Sequence, residues 1–249
     1  MFKVLRLEIL KNKRRPFWYG LMALLLLEIV WFSISIFRTS IMSNRTFNFD
    51  QNYLLFMLMS INGFFAPLFI SILSSRIVAI DYDNNMPIVL AVNNQSNSKL
   101  YLSKALFGLW IVFIYWLIQC IMVKMISQLL KVSFSGLQVY VTLLLLLISL
   151  MAVFVFQLSL SFVIKRQVFS TMVGLIGSFI SLMTAGLLPQ VVTSFLPILY
   201  VSFVNPFKLH GHQILFNHYW VLNGLYVVCI TVLILSMTMR FSRRGEIAQ

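Results

Sequence analysis

The sequence predicts an all-α integral membrane protein with six transmembrane helices. Of its 249 residues, 60% are apolar and only 10% are charged. A soluble domain of this length has to expose much of its surface to water, which this composition does not allow. Apolar runs such as VTLLLLLISLMAVFVF do not alternate with polar residues, so they exclude the strands of a membrane β-barrel. Lipid then leaves helices as the structures that cross the bilayer, because a helix satisfies its own backbone hydrogen bonds.

Six apolar runs are long enough to cross a hydrocarbon core, which takes about 20 residues of helix. The predicted spans are 17–37, 53–75, 101–123, 138–163, 168–188 and 219–239. An even number of spans places both termini on one side of the membrane. If that side is the cytoplasm, most of the 19 lysines and arginines lie inside, and the ones outside are Arg38, Arg45, Lys124, Lys131 and Lys208. This distribution follows the positive-inside rule and predicts a multi-pass protein with cytoplasmic termini.

The formal net charge of +13 is explained by this orientation. A nucleic-acid partner would require basic and aromatic residues together on a soluble surface, so none is expected. Cys120 and Cys229 lie in apolar runs and are interpreted as small buried hydrophobic residues.

The first 15 residues, MFKVLRLEILKNKRR, precede the first span. Phe2, Leu5 and Ile9 fall on one helical stripe, which predicts an elbow helix in the membrane interface at 1–15. Trp18 and Tyr19 follow at the level of an aromatic belt, in agreement with this placement. The alternative is a basic flank that only orients the first span.

A connection at 76–104, RIVAIDYDNNMPIVLAVNNQSNSKLYLSK, joins the second and third spans on the cytoplasmic side. Residues that suit a turn or a helix N-cap begin its central part: Asp81, Asp83, Asn84 and Asn85. Pro87 suits the first helical turn, so MPIVLAV (86–92) would form a short apolar helix that NNQSNS ends. Such a helix could dock in a groove of a partner, or it could be a loop packed against its own helix ends. Composition does not decide between the two.

The connection between the fifth and sixth spans, at 189–218, is too long and too apolar for a simple loop, and prolines interrupt it. The part QVVTSFLPILYVSF predicts a re-entrant or interfacial helical pair on the outer leaflet. The histidines of HGH, at positions i and i+2, do not share a helix face, and no acid lies close to them in sequence. A metal site is therefore not expected there.

Glu28 is the one acid placed deep in an apolar span. An ionised carboxylate is costly at that depth, so Glu28 should be protonated, paired or facing a cavity. It either lines a path or subunit interface, or bonds to a neighbouring helix such as one that bears Gln119 or Gln157. A single acid does not make a relay, which favours the second interpretation. Small residues on the fifth span predict close helix packing, or alternatively a dimer seam. The candidate path or interface residues are Glu28, Gln157, Gly174 and Gly177.

In this order of elements the chain resembles the permease subunits of ABC-2-type exporters. The segments that carry the resemblance are DYDNNMPIVLAV, NNQSNSK and LYLSK, which follow the family's order of acid, short apolar helix, polar break and basic-aromatic start of the third span. The resemblance implies that 76–104 couples to a cytoplasmic ABC ATPase subunit through Asp81, Asp83, Asn84, Met86, Pro87, Ile88 and Leu90. It also implies an outer hairpin that caps the translocation path. Size and an Asn/Ile/Lys-rich composition are most similar to small bacterial permeases that export, or confer immunity to, lantibiotics and other amphipathic peptides, including the phenol-soluble modulin exporters.

The absence of a nucleotide-binding motif is consistent with this resemblance. The sequence contains no GxxxxGK[ST] motif, so it cannot hold nucleotide phosphates in a P-loop. If transport is driven by ATP, hydrolysis must therefore occur on another chain. The resemblance implies these partners: a dimeric ATPase that binds ATP and Mg²⁺, a second permease subunit (identical or a sibling), membrane lipid and an amphipathic peptide cargo, in a bacterial cell membrane. No catalytic residue, metal or cofactor is expected in this chain. The alternatives are a polytopic membrane enzyme resembling an intramembrane protease, which would need a nucleophile or metal set at membrane depth, and an ion-coupled carrier. Ion-coupled carriers usually have repeated halves and several intramembrane charges.

Overall fold

The computed structural model describes Glu8 and residues 10–12, 15–42, 50–83, 97–134, 136–164, 167–183, 190–210, 213–217 and 219–247. Their helices are α1 (Phe17–Met42), α2 (Gln51–Asp83), α3 (Asn97–Leu129), α4 (Leu137–Val163), α5 (Gln167–Met183), α6 (Gln190–Phe195), α7 (Tyr200–Val204) and α8 (Trp220–Ile247). A 3-10 turn at Pro197–Leu199 separates α6 from α7, and two strands, β1 (Phe207–His210) and β2 (Gln213–Phe216), precede α8.

Five of these helices contain segments that are long and apolar enough to cross a membrane: Phe17–Thr39, Gln51–Asp81, Ser98–Leu129, Leu137–Val163 and Trp220–Phe241. The prediction of a helical, multi-pass membrane protein is confirmed in this form. The run predicted at 168–188 forms α5, which has 17 residues. A helix of that length spans about 25 Å, somewhat less than a typical hydrocarbon core. That α5 crosses the membrane, and hence that the protein has six transmembrane spans, stays a prediction.

Helix α2 lies at the centre of the bundle and packs against α1, α3, α4 and α5. Its apolar residues are distributed around the whole helix, as is typical of a helix buried on all sides. Leu54, Leu58, Ile70 and Ile77 on α2 are fully buried in the main hydrophobic core. Helix α8 is the least buried of the membrane-length helices. The centre of the molecule is therefore α2, and α8 lies at its edge.

Successive long helices run in opposite directions, which gives the bundle two ends. The elbow end is the one where α1 begins, α2 ends, α3 begins and α4 ends. The hairpin end carries the opposite termini together with α6, α7, β1 and β2. At the hairpin end the Thr39 and Tyr53 hydroxyls lie 3.1 Å apart, joining the end of α1 to the beginning of α2.

The helices on either side of the predicted 76–104 connection extend beyond the predicted spans. Helix α2 continues to Asp83 because Ile77, Val78, Ala79 and Ile80 are buried and pack the extra turns against the bundle. Asp81 thus lies inside a helix, and its predicted role in a turn or N-cap is wrong. Residues 84–96, which include Asn84, Met86, Pro87, Ile88 and Leu90, lie outside the described residues. A short helix in this stretch stays a prediction.

The predicted helical pair at the hairpin end corresponds to α6, the 3-10 turn and α7. The residues after it form a β-hairpin, which differs from the prediction. Strands β1 and β2 are antiparallel, with Phe207 opposite Phe216. The Phe207 ring is buried against Leu55 of α2 and Val139 of α4, so the hairpin is packed onto the ends of two helices.

Candidate functional site at the elbow end

The elbow end contains a buried ion pair between α2 and α3. Lys104 Nζ lies 2.6 Å from Asp81 Oδ2, and each residue is 1% exposed. The same ammonium group donates a hydrogen bond of 2.6 Å to the carbonyl oxygen of Ile77, one turn before Asp81. Buried charges are tolerated when they are paired and hydrogen-bonded, and both conditions hold here. The pair therefore fastens the last turns of α2 to the first turns of α3.

A second lysine brings the elbow segment to the same carboxylate. Lys11 Nζ donates to Asp81 Oδ1 at 3.3 Å and lies 3.9 Å from Glu8 Oε1. Asn12 donates to the Glu8 carbonyl oxygen, and Trp18 Nε1 of α1 donates to the Asn12 carbonyl oxygen, both at 2.8 Å. The elbow is thus held by α1 on one side and by Asp81 on the other.

The described elbow residues Glu8 and 10–12 are helical. Glu8 and Asn12 are buried, whereas Leu10 is 56% exposed. The polar side of this short helix therefore faces the protein. The predicted apolar stripe of Phe2, Leu5 and Ile9 lies outside the described residues, and the interfacial location of the elbow stays a prediction.

Tyr101 lies one turn before Lys104 on α3 and contacts the other side of the bundle. Its hydroxyl is 2.9 Å from the Ser159 hydroxyl of α4. Ser159 gives its own proton to the Val155 carbonyl oxygen at 2.7 Å, so Tyr101 is the donor in the bond between the two side chains. Thr238 of α8 lies beside the Tyr101 hydroxyl as well. The sequence LYLSK predicts the start of the third span but indicates no partner for Tyr101 or Lys104.

Gln157 also lies near the elbow end and is completely buried. Its side-chain oxygen accepts a hydrogen bond of 3.2 Å from Ser170 of α5, whose hydroxyl is 2.6 Å from that of Ser161. These contacts join α4 to α5 within one chain. A place for Gln157 on a path or an interface stays a prediction.

Glu28 belongs to a second polar cluster, halfway along the bundle. Tyr115 of α3 donates a hydrogen bond of 2.7 Å to Glu28 Oε2, and the same hydroxyl is 3.3 Å from Asn62 Oδ1 of α2. Gln119 lies next to both Glu28 and Tyr115. Glu28 is 1% exposed, so its carboxyl group faces the inside of the chain and joins three helices. Nothing in the sequence pattern distinguished Tyr115 or Asn62 from other residues of their spans.

The two glycines of α5 are positions of close packing within the chain. A Cβ atom on Gly174 would overlap the Ser71 side chain of α2, and one on Gly177 would overlap the Ile198 side chain in the 3-10 turn. Their small size is therefore explained by helix contacts inside the subunit. This arrangement supports the packing interpretation, while a dimer seam stays a prediction.

A family model described as ABC-2 family transporter protein matches residues 4–181 of the chain. The matched region begins in the elbow and ends two residues before the end of α5. It includes the Lys11–Asp81–Lys104 network and the cluster around Glu28. Neither the curated proteins nor the solved structures contain a match to this sequence.

Proposed function

Since this chain belongs to the ABC-2 family of transporter proteins, we propose that it is the permease subunit of an exporter driven by a separate ATPase subunit. The family describes the membrane-spanning component of such transporters and not the nucleotide-binding one. ATP and Mg²⁺ would bind to the ATPase subunits, and a second permease subunit, identical or a sibling, would complete the complex.

The observation that carries this proposal is the Lys11–Asp81–Lys104 network. Residues 84–96 leave α2 just after Asp81 and return to α3 shortly before Lys104. Because the network binds these two helices and the elbow together, a force applied to the connection would move all three instead of bending one helix end. An element that receives work from a partner needs such a rigid base.

The orientation that fits this function places the elbow end in the cytoplasm, where ATP is available. The distribution of lysines and arginines supports this placement. With both termini inside, the hairpin end would face the exterior of a bacterial cell membrane.

Amphipathic peptides are the cargo class that we propose, moved outward from the cytoplasm or the inner leaflet. The small size and composition resemble permeases for lantibiotics and phenol-soluble modulins. The chain contains 23 phenylalanines and 13 methionines, whose side chains can contact apolar faces of different shapes. Met172, Phe179 and Met183 on α5 are at least half exposed and are available for such contacts.

The docking assignment is tested by replacing residues 86–92 with a Gly/Ser sequence of equal length. Wild-type permease, purified in mild detergent from its native host, should retain an ATP-hydrolysing subunit, and the replacement should release it. The matched control replaces residues 43–49, a stretch of the same length between α1 and α2, and should retain the subunit. An 86–92 replacement that still binds the ATPase would show that docking occurs elsewhere.

Orientation is tested separately with single cysteines in a variant in which Cys120 and Cys229 are replaced. A membrane-impermeant maleimide applied to intact cells should label Thr46→Cys and leave Val89→Cys unlabelled until the membrane is opened. Labelling of position 89 from outside would contradict the proposed topology and the ATPase contact with it.

A further inference from the structure

One turn of α3 makes polar contacts to both sides of the bundle. Lys104 reaches Asp81 and Ile77 of α2, and through Asp81 it is joined to Lys11 of the elbow. Tyr101, three residues earlier, reaches Ser159 of α4 and lies beside Thr238 of α8. The two residues are neighbours on the helix surface, since positions i and i+3 lie close together.

The contact made by Tyr101 is directional and shielded from water. Both Tyr101 and Ser159 are buried, and Ser159 is held in turn by its bond to Val155. Apolar helix contacts alone allow small sliding movements with little change in contact area. A hydrogen bond fixes the relative position of two helices because it weakens steeply when its geometry is lost.

The Tyr101 hydroxyl also lies beside α8, the helix at the edge of the bundle. Helix α8 is the least buried of the membrane-length helices, so it is held by fewer contacts than α2 or α4. Thr238 is buried although few of the described residues of α8 are, and it lies at the elbow end. The Tyr101 hydroxyl is therefore located where α3, α4 and α8 meet.

We propose that the Tyr101–Lys104 turn of α3 transmits movement from the elbow and the α2–α3 connection to α4 and α8, with Tyr101 as the positioning residue. This inference rests on the proposed ATP-driven function. Lys104 receives the movement through its ion pair with Asp81, and Tyr101 passes it on through Ser159. The hairpin ends of α4 and α8 then follow the elbow end as rigid helices.

The experiment measures the distance between spin labels at the hairpin ends of α4 and α8. Leu137 and Tyr219 are both well exposed and carry the labels, with Cys120 and Cys229 replaced. The complete complex with its co-purified ATPase subunit is measured without nucleotide and with ATP and vanadate. The unmodified pair should change its distance. Tyr101→Phe keeps the ring that packs edge-on to Phe162, with centroids 5.4 Å apart, and removes only the hydroxyl.

In Tyr101→Phe the ATPase subunit should remain bound and hydrolyse ATP, while the population at the ATP-induced distance falls about five-fold, as expected for the loss of one net hydrogen bond. Ser159→Ala should produce the same loss, and the double variant should lose no more than either single one. Ser159→Thr, which retains the hydroxyl, should preserve the distance change. If Tyr101→Phe does not fold, Ser159→Ala tests the same hydrogen bond from its other partner.

The matched control is Tyr53→Phe, which removes a tyrosine hydroxyl between two helices at the opposite end of the bundle. It should leave the distance change intact. A Tyr101→Phe complex that responds to ATP as the unmodified complex does would overturn the role of this turn and leave the transporter function standing. If the spin-label distance in the unmodified complex does not change with ATP and vanadate, the proposed function itself is contradicted.

Discussion

Asp81 of α2 and Lys104 of α3 are both buried, and their charged atoms lie 2.6 Å apart. Lys11 contacts the other carboxylate oxygen of Asp81 from the elbow. One anion thus serves two cations that come from different segments of the chain. Removing each of the three side chains should therefore lower the free energy of unfolding by a different amount.

Asp81→Asn should be the most destabilising change in this network. It leaves Lys104 buried without an anion, and breaking a buried pair in this way typically costs about 3–5 kcal/mol. Lys104→Met should cost less, because Asp81 keeps Lys11, and Lys11→Met should cost within about 1 kcal/mol because Lys11 is partly exposed. The free energies of unfolding can be compared by denaturant titration in detergent micelles. Lys124→Met, an exposed lysine on the same helix, is the control, and equal costs for Lys104→Met and Lys124→Met would contradict the prediction.

Tyr115→Phe should destabilise the bundle by about 1–3 kcal/mol, because it removes the hydroxyl that donates to the buried Glu28 carboxyl oxygen and that lies 3.3 Å from the buried Asn62 oxygen. The stacking of this ring on Phe69, at 4.5 Å between centroids, should be retained. Glu28→Gln should cost less, because its amide oxygen still accepts the bond from Tyr115. Thermal unfolding followed by size-exclusion chromatography ranks the two variants. A larger loss for Glu28→Gln than for Tyr115→Phe would be inconsistent with a shared hydrogen bond.

Gly174→Ala should destabilise the protein by about 1–3 kcal/mol, because the new methyl group overlaps Ser71 and the helices must separate. Gly20→Ala on α1 meets no atom within 4 Å and should be neutral or slightly stabilising, since alanine favours helices. Ser71→Gly should restore part of the loss in a double variant. Thermal stability and oligomeric state are measured together. A change of oligomeric state without a loss of stability would favour the dimer-seam interpretation.

Phe207→Ala should release the β-hairpin from the bundle. The ring is 3% exposed and packs edge-on to Phe216, with centroids 5.5 Å apart, so its removal should cost about 3–5 kcal/mol of local stability. Amide hydrogen exchange should rise in residues 207–216 and change little in α2 and α4. Leu215→Ala, at a half-exposed position of the same hairpin, is the control. Unchanged exchange in Phe207→Ala would mean that other contacts hold the hairpin.

The membrane-length helices could be predicted because each long apolar run in the sequence has to be buried in lipid or protein. The ends of α2 and α3 were harder to predict. The DYDNN sequence has the composition of a turn, whereas burial of Ile77 and Ile80 keeps the backbone helical up to Asp83. Tertiary packing determines where α2 ends, and these packing contacts cannot be read from a single sequence.

The partners of the polar residues were not predictable for a similar reason. Lys104 contributed to the charge distribution, and its contact with Asp81 depends on how α2 and α3 pack. The β-hairpin, in contrast, had a signal in the sequence. Apolar and polar residues alternate through FKLH, and the residue pair Gly211-His212 separates this stretch from QILF, which is a pattern typical of a short hairpin. The HGH spacing bears only on metal binding, which it does not favour, and the signal for the hairpin lies in the residues on either side of it.

The pairing of Asp81 with Lys104 also bears on how the protein is made. The two charges lie on consecutive helices, and α2 leaves the ribosome before α3. Asp81 can already pair with Lys11 of the elbow, which is synthesised earlier, but α3 entering the bilayer alone would carry Lys104 as an uncompensated charge near its end, at a cost of up to about 3 kcal/mol. A helical hairpin of α2 and α3 removes that cost at once, so this pair of helices is expected to insert as a unit, before α4 to α8 have been synthesised.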